Sequence, residues 1–156
     1  MKRRQLLLLA LAPCALIPTS SNGAVRGDEV MYVGGTLTQI PDRTEGRLNV
    51  ESSDAAVFNS KKGSFSFAYD KVTSLEYGQK AGRRVGVALV VNPLFLFSKK
   101  RKHFLTIGFT DSEGQAQGAV LEIGKKHVRP VLSLLETKTG KTVEYESEEA
   151  RKHAGN

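Results

Sequence analysis

The sequence predicts a mainly β fold of seven antiparallel strands, capped by one amphipathic helix near the C-terminus. Three observations predict it. Short runs of alternating apolar and polar residues recur between residues 30 and 123, and a period of two is what a strand with one buried face requires. Connections rich in Gly, Asp, Ser and Lys separate these runs, as hairpin turns do. A single change to helical spacing follows residue 126.

Residues 1–24 stand outside this pattern and have the organisation of a signal peptide. Lys2, Arg3 and Arg4 form a basic start, an apolar run extends from Leu6 to Ile17 around Pro13, and small and polar residues lead to Ala24. The apolar run of about 12 residues falls short of the roughly 20 that a spanning helix needs. Cleavage near Ala24 and export to the periplasm or medium are therefore expected. The pair Arg3-Arg4 is similar to the core of a twin-arginine signal. Cys14 follows Pro13 rather than a small residue and the apolar run continues past it, which argues against lipidation. Cys14 is the one cysteine of the chain, so the mature domain is expected to have neither a disulfide nor a cysteine-based metal site. The net charge is +7, and setting aside Lys2, Arg3 and Arg4 leaves an excess of +4. So small an excess does not imply a nucleic-acid partner.

Residues 25–141 make up the domain. The first strand lies within 30–40, with Gly34-Gly35 as a bulge and Pro41-Asp42 as its end. Residues 46–51 place Leu48 and Val50 on one face, and Ser52-Ser53-Asp54 turns the chain into a third strand over 55–59. Lys61-Lys62-Gly63 is a hairpin connection leading to Phe65, Phe67 and Tyr69, which alternate with Ser64, Ser66 and Ala68. Strands over 72–78, 103–110 and 117–123 complete the seven, the last two joined by Asp111-Ser112-Glu113-Gly114. Val128, Val131, Leu132 and Leu135 then follow i, i+3, i+4, i+7 spacing, which predicts a helix over about 126–138. Pro130 belongs in its first turn and Gly140 stops it. Residues 142–156 are expected to form a polar, frayed tail, apart from a short alternating piece at Val143 and Tyr145.

Seven meandering strands and a C-terminal helix form the element list of the pleckstrin-homology-like barrel. The phrases Gly46-Arg47-Leu48-Asn49-Val50, Ala56-Val57-Phe58 and the run from Phe65 to Tyr77 also resemble the GRAM-like bacterial members of that group. The resemblance covers about 30–141. It implies a strongly bent antiparallel barrel with the helix plugging one open corner, and a binding platform rather than an enzyme. Phosphoinositide binding does not carry over, because the loop between the first two strands contains Asp42 and Glu45 against Arg43.

The most uneven stretch is the insertion 79–102, between the fifth and sixth strands. Of thirteen residues in 85–97, only Gly86 and Asn92 are not apolar. Lys80, Arg83 and Arg84 precede the run, Lys99, Lys100, Arg101 and Lys102 follow it, and no acid occurs between Glu76 and Asp111. A straight helix of that length reaches about 20 Å against a hydrocarbon core of about 30 Å, so it cannot span. Two arms turning at Asn92-Pro93 can instead dip into one leaflet, with Leu89, Val90, Leu94, Phe95, Leu96 and Phe97 as the contacting residues. The seven bases would then meet anionic headgroups, each at up to about 1 kcal/mol. Packing of the run onto its own domain and binding of a protein partner are the other two readings.

No catalytic chemistry emerges. His103, His127 and His153 lack a ligand at i+2 or i+4 and are expected to be solvated, so no metal is implied. Residues 118–126 have the wrong glycine spacing for a phosphate loop. Asp70 and Glu76 are expected at a strand end and on the surface. The sequence thus predicts a non-enzymatic, cofactor-free exported module. Its expected partner is an anionic membrane surface or an envelope protein, and not nucleic acid.

Overall fold

The computed structural model describes residues 29–79 and 102–155. Eight strands form one curled, half-barrel sheet: β1 (Glu29–Gly35), β2 (Thr44–Asn49), β3 (Ala55–Ser60), β4 (Gly63–Ala68), β5 (Val72–Gly78), β6 (Phe104–Thr110), β7 (Ala116–Ile123) and β8 (Val143–Tyr145). Their spatial order is β4-β3-β2-β1-β7-β6-β5-β8. Helix α1 (Val128–Thr139) follows β7, and α2 (Glu148–Gly155) follows β8.

The turns act as their residues require. Ser60 pairs with Gly63 across Lys61-Lys62. Asp111 accepts backbone N–H groups of Glu113 (2.9 Å) and Gln115 (2.8 Å), and Gly114 takes φ +80°. The register of β1 against β7 shifts between Tyr32 and Gly34, the bulge expected at the glycine pair. Gly35 there passes so close to the Gly118 carbonyl that a Cβ would collide with it.

One core lines the inside of the curl. Phe65, Phe67 and Tyr69 are buried as their alternation demands. The Phe58 and Phe65 rings stack at 5.1 Å, and Phe67 meets Phe109 at 5.5 Å. Tyr69 belongs to a 3-10 turn (Tyr69–Lys71) rather than to a strand, and its hydroxyl donates to Val50 O at 2.9 Å. Helix α1 packs at this β4–β5 corner. It buries Val128, Val131, Leu132 and Leu135 and ends at Gly140, φ +67°. Lys138 fastens it by donating to Glu51 O at 3.0 Å and Ser52 O at 2.5 Å.

Three expectations are corrected. The sheet has eight strands and is mixed, not seven and antiparallel, because β8 pairs parallel with β5, Leu75 opposite Val143 and Tyr77 opposite Tyr145. The parallel sense follows from α1, which carries the chain back so that it re-enters alongside β5 in the same direction. Val143 N–H donates to the Glu136 carboxylate at 2.7 Å, and Val143 is buried. Secondly, the segment read as a frayed tail holds α2, whose Ala150 and Ala154 are buried against the domain. Thirdly, Glu76 is not a surface carboxylate. It lies on the outer face of β5 at 4 % exposure, in register with Thr106 and, through it, with Val120, both also buried.

Candidate functional site

Strands β5 and β6 are a hairpin whose last pair is Gly78 opposite Phe104, so the insertion leaves and rejoins the sheet at one place. Of the residues proposed for membrane or partner contact, Leu89, Val90, Leu94, Phe95, Leu96 and Phe97 lie outside the described residues. So do the bases Lys80, Arg83, Arg84, Lys99, Lys100 and Arg101. Lys102 is described, and with Gln79 it marks the root of the insertion.

Both ends of that root are fixed by carboxylates. Gln79 N–H donates to Glu146 Oε2 at 2.8 Å, and Glu146 N–H donates to Tyr77 O at 3.0 Å. The segment after β8 is thereby tied to the end of β5. Lys102 Nζ donates to Glu122 Oε2 at 2.8 Å, both side chains about a quarter exposed. An ion pair so placed contributes on the order of 1 kcal/mol. It also turns one of the seven predicted headgroup-binding bases toward a protein carboxylate.

Beneath Lys102, His103 is buried at 8 % exposure, not solvated as the sequence suggested. Its Nδ1 shares a hydrogen bond with the Tyr77 hydroxyl at 2.5 Å, and the two rings lie within 6° of parallel at 6.1 Å. Burial lowers the His103 pKa from 6.5; the nearby His153 and Lys125 lower it further, and Glu122 opposes them. Burial also pushes the Tyr77 phenol up to about 12. At neutral pH the pair is therefore uncharged. On the far side Tyr77 meets Tyr145 edge-on at 6.1 Å, and the Arg151 guanidinium lies 5.6 Å from the Tyr145 ring centroid.

Lys102, His103, Glu122, Ile123, Gly124, Lys125 and His153 line a recess of about 380 Å³. Sequence reasoning named only Lys102 among them as a binding residue, and took His103 and His153 as solvated. Lys125 and His153 were legible as isolated bases, but only the fold brings the β7–α1 link and α2 to the same place.

No family model matches this sequence, and no curated protein matches it. Among the described residues, no helix is long and apolar enough to cross a membrane. No group of three or more His, Cys, Asp or Glu side chains among them is placed to hold a metal ion.

Proposed function

We propose that the chain is an exported, non-enzymatic binding module that engages an anionic membrane surface through the insertion 79–102. The observation that carries this reading is the coincidence of an apolar thirteen-residue run with seven flanking bases and no acid. The position of the root supports it: Gln79 and Lys102 sit at one end of the β5–β6 hairpin, with Lys125 and His153 beside Lys102. The finer architecture in this proposal is pleckstrin-homology-like. In favour are the meanders β1–β4 and β5–β7, the pairing of β1 with β7, and the seating of α1 at the β4–β5 corner.

Flotation with phosphatidylglycerol-containing liposomes tests the function. The mature chain is expected to float, and the Leu94→Ser/Phe95→Ser/Phe97→Ser variant is expected to stay in the dense fraction. Flotation unchanged by the triple substitution refutes the membrane reading.

A second reading, a protein-contact role for the same insertion, has its own observation. Glu76, Phe104, Thr106 and Val120 are buried on the outer face of β5, β6 and β7, and a covered sheet face suits packing against protein. Under this reading the triple variant loses thermal stability, or breaks an oligomer detected by sizing, and lipid makes no difference.

A further inference from the structure

We propose that the free edge of β4 is a self-pairing surface, at which a second copy of this chain joins in antiparallel sense with Ser66 opposite Ser66. The pairing stands on described residues alone and is independent of the membrane reading.

The strand order ends in β4 on one side and β8 on the other, and the two ends differ. β8 has three residues with Glu144 at its centre, and a short, charged edge resists further pairing. β4 runs for six residues, Gly63-Ser64-Phe65-Ser66-Phe67-Ala68, in unbroken register with β3. Charge, proline and bulge, the devices that blunt an edge, are all missing from it. Lys61-Lys62 closes the β3–β4 hairpin on the Ser60–Gly63 pair. Alternation from that bonded pair turns the N–H and C=O groups of Ser64, Ser66 and Ala68 away from β3. Ser64 and Ser66 are exposed, and Phe65, Ser66, Phe109 and Asp111 border a recess of about 340 Å³ beside the strand, room that an added strand needs.

A two-fold axis at Ser66 uses all three residues. It sets Ser66 against Ser66, Ser64 against Ala68 and Phe65 against Phe67, and each outward-facing pair exchanges two hydrogen bonds. An axis at Phe65 or Phe67 would set Ala68 or Ser64 against a turn residue instead. Small side chains then meet small ones on the outer face, while Phe65 and Phe67, 6 % and 2 % exposed, keep to the inner face in both copies. Beyond the strand the register carries Lys62 toward Asp70 of the second copy. Both are exposed, and Asp70 meets Lys71 of its own chain at 3.5 Å, so this contact favours one orientation more than it adds affinity. An edge of six residues buries less than the roughly 1,000 Å² of a lasting interface. The dimer is therefore expected to form and dissociate with concentration.

Sedimentation velocity of residues 25–156 without lipid, over a rising concentration series, tests the pairing. The parent is expected to shift from monomer toward dimer. Ser66→Lys and Ser66→Glu each set like charge against like at the axis; both are expected to lose the shift, and an equimolar mixture of the two to regain it. Ser64→Lys changes net charge as Ser66→Lys does but faces Ala68 in this register, and it is expected to keep the shift. A parent that is monomeric throughout, equal losses in the two lysine variants, or a mixture that stays monomeric overturns the proposal.

Amide hydrogen exchange of the parent gives a readout that needs no substitution. The Ser64, Ser66 and Ala68 amides are expected to exchange more slowly as concentration rises, while those of Phe65 and Phe67, already bonded to β3, do not change. Unchanged exchange at all three sinks the pairing. Association that is abolished by Leu94→Ser/Phe95→Ser/Phe97→Ser but kept in Ser66→Lys places the contact on the insertion and likewise overturns it.

Discussion

Replacing Tyr77 with Phe removes one oxygen from the centre of the insertion's root. The hydroxyl lies 2.5 Å from His103 Nδ1, and Tyr77 and His103 are 1 % and 8 % exposed. The ring contact at 6.1 Å and 6° is one that Phe retains, so the substitution isolates the hydrogen bond. Its loss leaves an imidazole nitrogen without that partner in a site nearly closed to water. An orphaned buried polar group costs about 1–3 kcal/mol, and for a domain of this size each kcal/mol lowers the melting temperature by about 4 °C. Urea unfolding of residues 25–156 followed by far-UV circular dichroism measures the loss as a lower midpoint with an unchanged slope. A midpoint equal to that of the parent would show that water already serves His103, and the account of a sealed root would fail.

Three further outcomes follow from the same coordinates. His103 has a folded pKa below 6.5 because of burial first, so the unfolded chain takes up a proton before the folded one, and stability is present above about pH 6.5 and falls as the pH drops. Asp111, held below 3.8 first by the Gln117 side chain and then by the Gln115 and Glu113 amides, adds a second loss of the same sign below that value; a pH series of urea midpoints that rises on acidification contradicts both. Leu135→Ala, at a fully buried position on α1, is expected to cost about 2–5 kcal/mol by calorimetry, and a cost below 1 kcal/mol would mean that the helix does not plug the corner. Gly46→Ala would put a Cβ 2.5 Å from both Asn59 O and the Phe58 ring, whereas at Gly124 the nearest atom is 3.4 Å away; the first is expected to destabilise by about 1–3 kcal/mol or more, the second to be near neutral in the same assay.

Much of the fold was legible because the curl leaves most strands with one dry face, and a dry face writes itself as alternation. Phe65, Phe67, Leu105, Ile107 and Leu121 are all buried as that alternation implies. The spacing of Val128, Val131, Leu132 and Leu135 marked the buried stripe of α1. What escaped was held by partners far along the chain. β8 has three residues, too few to establish a period, and it exists because β5 offers an unpaired edge. In α2 the buried stripe is Ala150 and Ala154, four residues apart, and two methyl groups among charges give almost no hydrophobic signal. His103 and Glu76 broke the rule that polar means outside: the Tyr77 ring lies against His103, and the outer face that Glu76 shares with Thr106 and Val120 is buried as well. The candidate site was legible only as its cationic border, because Lys125 and His153 are 23 and 51 residues from Lys102 along the chain.

The corrections at the C-terminus alter how the insertion should be understood. A 3-residue strand and an 8-residue helix add little core, yet they brace the point where the insertion departs. Glu146 accepts from Gln79, Val143 lies beside Leu75, and the Tyr145 ring closes over Tyr77. On the returning side, Lys102 is held by Glu122 two residues before Phe104 enters the sheet. A hairpin that only connected two strands would need none of these contacts, since the β5–β6 ladder already fixes its own ends. The bracing matters where the residues beyond it exert or bear a load, as an apolar segment does when it transfers to lipid or to another protein. If the insertion binds as proposed, the tail and the insertion act together, and disturbing the Glu146–Gln79 contact is expected to weaken liposome flotation before it lowers the urea midpoint of the sheet.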